Sequence, residues 1–364
     1  MSLFRDSIAD LVPYEPGKPV EAVQRELGLE HVVKLASNEG PFPPFPAAIE
    51  AMERGEQELN RYPDGGVWAL RAALADRAGV AFEQVIVGSG ADGIIDLLSQ
   101  ATLDPGDDVV CGWPSFPSYV LDAAKLGAEA KRVPLRDHKY DLDGLLEAIG
   151  PRTKLVYVCH PNNPTGTANG REELLAFLDR LPEHVLCVLD QAYFEYIDDP
   201  DFADGVELFR AGRRLAVLRT FSKIFGLAGL RVGWAVAPAD VVTATSKVRR
   251  AFDVTAQAQA AALASLDDSA EIARRRELNA AGRERLAEIL RSHGLEPVEP
   301  ARGNFLFADV GGGRELFERL LREGVIVRPL DSFGAPEAIR VSVGTPEENE
   351  LFAVALGHVL SGVS

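Results

Sequence analysis

Residues 215–233 read LAVLRTFSKIFGLAGLRVG and decide the fold class. The stretch begins with a short, mostly apolar run, which is typical of a buried strand. Directly after this run come Ser222 and Lys223, and Arg231 follows after a segment that contains Gly226 and Gly229. In a sheet of parallel strands, the chemistry lies at the carboxyl ends of the strands. The stretch therefore predicts that Lys223 and Arg231 lie at such an edge.

On both sides of this stretch, short apolar runs alternate with helical periodicity. Strands are predicted at 85–87, 108–112, 130–134, 155–159, 185–189, 215–220 and 232–238, and helices at 46–58, 67–77, 92–101, 117–126, 142–149 and 172–181. This alternation favours an α/β fold with a mostly parallel central sheet covered by helices. Beyond it, helices are predicted at 240–264, 269–293, 314–323 and 347–361, and strands at 304–310, 325–329 and 338–343.

The chain is predicted to have three parts. With 364 residues it is long enough for two domains. We expect a large domain over 46–240 and a smaller C-terminal α/β domain over 241–364. Residues 1–45 are rich in proline, which removes a backbone donor and resists both helix and central strand. They are therefore predicted to form an irregular N-terminal arm.

Composition excludes several classes of protein. The 38 Lys and Arg against 55 Asp and Glu leave a net charge of −17, which repels nucleic acid. No apolar run is long enough to span a membrane, and because no basic segment followed by an apolar stretch opens the sequence, we expect no signal peptide. Its three cysteines, Cys111, Cys159 and Cys187, are widely spaced and form no metal motif. We expect a cytoplasmic protein with no metal and no membrane or nucleic-acid partner.

Polar residues follow the other predicted strands as well. Asp190 and Tyr193 follow the strand at 185–189, residues 161–166 (PNNPTG) follow the strand at 155–159, and residues 88–92 (GSGAD) follow the strand at 85–87. Because these strand ends open onto one crevice, the side chains are expected to lie together. A cofactor aldehyde with a phosphate and a ring nitrogen would use all of them. The lysine forms an imine, the aspartate keeps the ring nitrogen protonated, and a helix N-terminus with Ser and Arg binds the phosphate.

These segments resemble the pyridoxal-phosphate-dependent aminotransferases of fold type I. The shared motifs are PNNPTG at 161–166, DQAY at 190–193, TFSK at 220–223 and GLRVG at 229–233. Three further stretches are similar to the histidinol-phosphate aminotransferase family: LASNE at 35–39, NRYPDG at 60–65 and IRVSVG at 339–344. The resemblance extends over nearly the whole chain, and it implies pyridoxal 5'-phosphate as cofactor and a homodimer.

The resemblance also implies a role for each site residue. Lys223 would form the imine and act as general acid and base, Asp190 would pair with the ring nitrogen, and Asn163 and Tyr193 would contact the phenolic oxygen. The remaining cofactor contacts would come from Ala91 (through its backbone N–H), Asp92, Ser222 and Arg231 at the phosphate, Phe116 on the ring face, and Tyr62 across the dimer interface. The implied substrate residues are Arg340, Arg328, Tyr14 and Asn38.

The implied reaction is a ping-pong transamination between L-histidinol phosphate and 2-oxoglutarate, in histidine biosynthesis. Residues 39–44 (EGPFPP) and 113–116 (WPSF) are similar to an aromatic amino-acid aminotransferase branch, which leaves phenylalanine or tyrosine open as the donor. A cofactor-binding regulator and a lyase or decarboxylase on the same fold are also compatible with these motifs. The chain departs from the common family pattern at Gln191, where Glu is usual, and at 91–93, where Asp-Glu is usual in place of Asp92-Gly93.

Overall fold

The computed structural model describes residues 3–9, 11 and 17–361 of the chain, so Tyr14 lies outside the described residues. In chain order the strands are β1 Val33–Lys34, β2 Val85–Gly88, β3 Asp108–Trp113, β4 Glu129–Pro134, β5 Thr153–Cys159, β6 Leu186–Asp190, β7 Leu215–Thr220, β8 Gly233–Val236, β9 Phe305–Asp309, β10 Val325–Ile326, β11 Arg328–Pro329 and β12 Ala338–Ser342. The α-helices are α1 Val20–Leu27, α2 Pro46–Arg54, α3 Trp68–Ala78, α4 Gly90–Thr102, α5 Ser118–Lys125, α6 Leu142–Ala148, α7 Arg171–Asp179, α8 Gly205–Arg210, α9 Ala239–Val248, α10 Ala256–Ala264, α11 Ser269–Ser292, α12 Gly313–Arg322 and α13 Pro346–Ser361.

A seven-stranded sheet forms the centre of the larger part, in the order β2-β8-β7-β6-β5-β3-β4. The pairs from β4 to β7 are parallel, and β8 runs antiparallel to both of its neighbours. All residues of β6 and β7 are buried, which explains their mostly apolar sequences. The prediction of a mostly parallel sheet covered by helices is confirmed.

A three-stranded antiparallel sheet, β11-β12-β9, belongs to a second hydrophobic cluster. Helices α11, α12 and α13 supply many of the other apolar side chains of that cluster. The buried side chains of α9 and α10, however, pack in the first cluster with the central sheet. The predicted domain boundary at residue 240 stays a prediction.

The N-terminal arm is more regular than its proline content predicts. Helix α1 begins directly after Pro19, a position where proline is tolerated because the first turn of a helix needs no backbone donor there. Val23 of α1 is buried in the second cluster, and β1 pairs in parallel with β10. The expectation of an irregular arm is therefore wrong for these segments.

Two other predicted elements are divided in the structure. The helix predicted at 240–264 is divided into α9 and α10, because Phe252 has a φ of 57°, which an α-helix cannot contain. The Thr255 hydroxyl caps the start of α10 by accepting a hydrogen bond from the Ala258 N–H at 3.2 Å. The strand predicted at 325–329 is β10 and β11, which pair in different sheets. Because apolar residues occur on both sides of each break, the apolar pattern of the sequence did not reveal either break.

Candidate active site

The last residues of β5, β6 and β7 line a cavity of about 520 Å³. Arg328 of β11 and Arg340 of β12 line it as well, and so does Ala36, which belongs to the second hydrophobic cluster. Twelve of the fourteen predicted site residues lie at this cavity: Asn38, Ala91, Asp92, Phe116, Asn163, Asp190, Tyr193, Ser222, Lys223, Arg231, Arg328 and Arg340. The structure thus brings together residues that lie far apart in the sequence.

Tyr62 does not reach the cavity of its own chain. Its side chain is 81% exposed, and its ring stacks on Phe252 with 4.5 Å between the ring centroids. The prediction that Tyr62 contacts the cofactor of a partner subunit stays a prediction. Tyr14 lies outside the described residues.

Lys223 follows β7, is half-buried, and lines the cavity. Its Nζ donates to the Ser37 carbonyl at 3.3 Å. Burial lowers the pKa of Lys223 to about 7, and the nearby positive charge of Arg340 acts in the same direction. A large fraction of this amine is therefore neutral near pH 7, as a nucleophile or a general base requires.

Asp190, at the end of β6, is held by two hydrogen bonds. The Tyr119 hydroxyl donates to Oδ2 at 2.7 Å, and the Ala192 N–H donates to Oδ1 at 3.1 Å. Burial raises the pKa of Asp190, while these two donors and the charge of Lys223 act against the increase. The carboxylate is thus oriented before any ligand binds.

Tyr119 is a residue that the sequence analysis missed. It lies on α5 three residues after Phe116, is fully buried, and stacks on Tyr157 with 4.4 Å between ring centroids. The rings of Phe116 and Tyr119 meet edge to face at 5.7 Å. Because Phe116 precedes α5, the helical spacing rule does not apply to this pair, and no local pattern marked Tyr119 as a site residue.

One end of the cavity is suited to a phosphate. The N-terminus of α4 supplies unpaired backbone N–H groups, and Arg231 lies beside Ser222, its Nη1 donating to the Ser222 Oγ at 3.4 Å. Gly90 has a φ of +77°, and a Cβ there would lie 2.7 Å from Arg231 Nη2. The close approach of the helix and the guanidinium therefore requires glycine at this position.

Asp92 lies in the first turn of α4 and lines the same end. Its carboxylate accepts a hydrogen bond from the Ser118 hydroxyl on α5. The side chain is therefore engaged with α5, and the group that Asp92 offers to an anion is its backbone N–H.

The other end contains an amide, a phenol and two arginines. Arg340 donates to the Asn163 Oδ1 and, at 2.7 Å, to the Ala36 carbonyl. The Asn38 Nδ2 donates to the Tyr193 hydroxyl at 2.9 Å. Arg328 is the register partner of Arg340 across β11 and β12, and both are buried. Two neighbouring guanidinium groups can bind a carboxylate or a phosphate.

The two departures from the family pattern leave the cavity intact. Gln191 is buried and does not line the cavity. Its Nε2 donates to the Ala203 carbonyl at 2.7 Å, and its Oε1 accepts from the Gly205 N–H and from Arg219. Gly93 does not line the cavity either.

Among the residues that the structure describes, no helix is long and apolar enough to cross a membrane. No group of three or more His, Cys, Asp or Glu side chains in this part of the chain could hold a metal ion.

Comparison with known proteins identifies the family. The model of the family "Aminotransferase class I and II" matches residues 30–356. The histidinol-phosphate aminotransferase of Moorella thermoacetica is 44% identical over 359 residues, 98% of this chain and 93% of that protein. The enzyme of the same name from Bacillus subtilis is 42% identical over 359 residues, 98% of this chain and 99% of that protein.

Solved structures agree with the sequence comparisons. The crystal structure of histidinol-phosphate aminotransferase from Sinorhizobium meliloti, in complex with pyridoxal-5'-phosphate, has a TM-score of 0.89 and 30% identity. The match covers 100% of this chain and 99% of that one. The predicted fold class is confirmed. The chain belongs to the class I and II aminotransferases, and within them to the histidinol-phosphate aminotransferase family.

Proposed function

We propose that the chain catalyses transamination from L-histidinol phosphate to 2-oxoglutarate, with pyridoxal 5'-phosphate as cofactor. The products are imidazole-acetol phosphate and L-glutamate, in histidine biosynthesis. The observation that carries the proposal is that a half-buried lysine amine, a buried carboxylate and a helix N-terminus line one cavity. Near-complete alignment with histidinol-phosphate aminotransferases supports the choice of substrate.

The residues of the cavity fit the cofactor. Gly90 has a φ of +77°, which favours glycine, and its backbone lies against the Arg231 guanidinium, so the N-terminus of α4 and this cation meet at one part of the cavity wall. Arg231, Ser222 and the backbone N–H groups of Ala91 and Asp92 would hold this phosphate. Phe116 would cover a face of the ring, and Asn163 and Tyr193 would contact its phenolic oxygen.

When bound, the cofactor supplies an electron sink for the carbanion at the substrate Cα. Asp190, oriented by Tyr119 and Ala192, would keep the ring nitrogen protonated. Lys223 would remove the proton from the substrate Cα with Nζ and later return a proton, because its lowered pKa leaves the amine neutral near pH 7. Walls from both clusters limit the access of water to these groups.

The two arginines would bind the anionic end of each substrate in turn. In a ping-pong reaction the donor leaves before the acceptor enters, so one pair of guanidinium groups can serve both. Arg340 and Arg328 would bind the phosphate of the donor and a carboxylate of 2-oxoglutarate. Asn38, which positions the Tyr193 hydroxyl, would lie beside the substrate.

A change in absorbance tests the choice of donor. The purified pyridoxal form is mixed with L-histidinol phosphate or with L-phenylalanine, without acceptor, and the rate of conversion to the pyridoxamine spectrum is measured. We expect much faster conversion with histidinol phosphate. Faster conversion with phenylalanine would instead identify an aromatic amino-acid aminotransferase, and no conversion with either would contradict the proposed reaction.

The proposal includes a cytoplasmic homodimer in which Tyr62 completes the partner's cavity. Tyr62 and Phe252 form an exposed aromatic stack, and Trp68 is 65% exposed, which is unusual for a ring with no partner surface. Mixing inactive Tyr62→Ala and Lys223→Ala chains should restore activity, because a hybrid dimer contains one cavity with both residues. If the mixture stays inactive although hybrids form, Tyr62 does not act across the interface.

A further inference from the structure

A second cavity of about 380 Å³ lies next to the candidate active site. We call it the back cavity. It is lined by Gly40, Pro41, Phe42, Tyr196, Ile224, Arg275, Leu278, Asn279, Ala281, Gly282, Arg285, Val343, Gly344, Pro346, Asn349 and Glu350. Its volume lies in the range of about 300–1,000 Å³ that small-molecule sites occupy. It has no place in the reaction proposed above.

Two polar atoms of the back cavity have no hydrogen-bond partner among the described residues. Tyr196 is only 5% exposed, and its hydroxyl makes no hydrogen bond within this part of the chain. That hydroxyl lies 3.6 Å from where a Cβ on Gly40 would be, so it is at the cavity wall. Asn279 donates through Nδ2 to the Gly303 carbonyl at 3.2 Å, which leaves its Oδ1 without a donor. Neither atom belongs to the fully buried, unpartnered polar atoms of the described residues, so both open onto the cavity, where the polar group of a ligand can reach them.

The two arginines at the wall already use their guanidinium nitrogens within the protein. Arg275 donates to Glu271 at 2.7 Å and to two backbone carbonyls, those of Ile224 at 3.0 Å and Pro43 at 2.7 Å. Arg285 makes a two-pronged pair with Glu350, at 2.6 and 2.9 Å. All three guanidinium nitrogens of each arginine therefore donate to protein oxygens, and most of the remaining wall is apolar. The cavity therefore favours an uncharged molecule.

The back cavity shares its walls with the active site. Residues 36–39 and Lys223 line the active site, whereas residues 40–42 and Ile224 line the back cavity. A Cβ on Gly40 would lie 3.1 Å from the Lys223 carbonyl, so this loop is packed directly on the lysine's backbone. Ile224 belongs to the first hydrophobic cluster and Val343 to the second. An occupant would therefore contact both clusters and the loop that separates it from Lys223.

We propose that the back cavity is a second small-molecule site, which takes an uncharged, largely apolar molecule with one hydroxyl or N–H group and changes the affinity of the active site for substrate. The apolar wall binds its body, and Tyr196 and Asn279 bind the polar group. The molecule contacts both clusters and the substrate lies in the cavity beside them, so each ligand shifts the protein toward the arrangement that it binds more tightly. The affinity for substrate rises when both ligands favour one arrangement and falls when they favour different ones. Only this coupling depends on the proposed reaction, because binding needs no turnover.

Calorimetry on the holoenzyme tests the site, with phenol and toluene as probes. We expect saturable binding of both. Tyr196→Phe should lower the affinity for phenol about 2- to 13-fold, which corresponds to the loss of one hydrogen bond, and should leave the affinity for toluene unchanged. Ala281→Trp, which places an indole at the exposed mouth of the cavity, should abolish binding of both probes. Ala273→Trp is the matched control, since Ala273 is exposed on the same helix and does not line the cavity.

Coupling is measured as the KM for the amino donor with and without saturating phenol. We expect a change of at least about 5-fold in the wild type and in Ala273→Trp, and none in Ala281→Trp. Equal phenol binding in the two tryptophan variants would overturn the site, since phenol would then bind elsewhere. A KM that phenol does not change would overturn the coupling. If no variant shows turnover, the proposed reaction has failed, and the calorimetric result still decides whether the site exists.

Discussion

Replacing Tyr119 by phenylalanine should impair catalysis without touching any group that contacts the substrate. The Tyr119 hydroxyl donates to Asp190 Oδ2 at 2.7 Å, in a fully buried environment. A hydrogen bond to a charged group stabilises it by about 1.5–3 kcal/mol, which corresponds to about one to two pKa units. Without this donor, burial should raise the pKa of Asp190 further above its ordinary value.

A more basic Asp190 draws the proton away from the ring nitrogen that it is proposed to keep protonated. If the transition state depends on that proton, kcat should fall by about 10- to 150-fold, the factor equivalent to 1.5–3 kcal/mol. The affinity for pyridoxal 5'-phosphate, measured by fluorescence titration of the apoprotein, should fall as well. The second measurement does not depend on turnover.

Stability against pH gives an independent check. A carboxyl group whose folded pKa is raised contributes stability below its unfolded pKa and loses it as the pH rises through the folded pKa. The free energy of unfolding of apo Tyr119→Phe should therefore fall below that of the wild type near pH 7, and the difference should shrink as the pH falls and Asp190 is protonated.

Tyr157→Phe is the matched control for this prediction. Tyr157 is equally buried and stacks on Tyr119, but its hydroxyl contacts Ser99 at 3.1 Å and not Asp190. Its kcat and its cofactor affinity should stay near those of the wild type. Equal kcat values for Tyr119→Phe and Tyr157→Phe would refute the role of the hydrogen bond to Asp190.

Two further predictions concern the cofactor cavity. Because burial and the charge of Arg340 lower the pKa of Lys223 to about 7, the rate at which the apoprotein captures pyridoxal 5'-phosphate should rise with pH around a midpoint near 7. Measured by stopped-flow absorbance, Arg340→Met should move that midpoint to higher pH. An unchanged midpoint would contradict the coupling between Arg340 and Lys223. Gly90→Ala should weaken the binding of the cofactor at equilibrium, since the new Cβ would lie 2.7 Å from Arg231 Nη2. Gly93→Ala, which lies outside the cavity, should bind the cofactor nearly as the wild type does. Equal losses of cofactor affinity in the two variants would indicate a general effect on α4.

The sheet and the residues at its edge could be predicted because each corresponds to a short, recognisable pattern in the sequence. Strands buried on both faces read as apolar runs, as β6 and β7 do, and Asp190 and Lys223 directly follow such runs. Parallel strands end at the same edge, so the order of the motifs was enough to bring these residues together. The break at Phe252 was missed because periodicity continues on both sides of it.

Features that join distant segments could not be predicted. The contact from Tyr119 to Asp190 links α5 to β6 across 71 positions, and a tyrosine in a helical apolar pattern looks like an ordinary core residue. The back cavity depends on residues 40–42, on α11 and on residues 343–350, which no motif connects. Such sites are set by how elements pack, and single-sequence patterns carry little information about packing distances.

The net charge of this protein affects large polyanions, whereas the charges inside the active site determine how small anions bind. A net charge of −17 repels large polyanions, yet the proposed ligands carry phosphates and carboxylates. The cations that line the active site are Lys125, Lys223, Arg231, Arg328 and Arg340, and Arg328 and Arg340 are at most 5% exposed. Charges on the surface are screened within about 8 Å at physiological salt, whereas buried charges are screened much less. A small anion that enters the cavity therefore meets the field of these side chains, and the acidic surface has little influence on its binding.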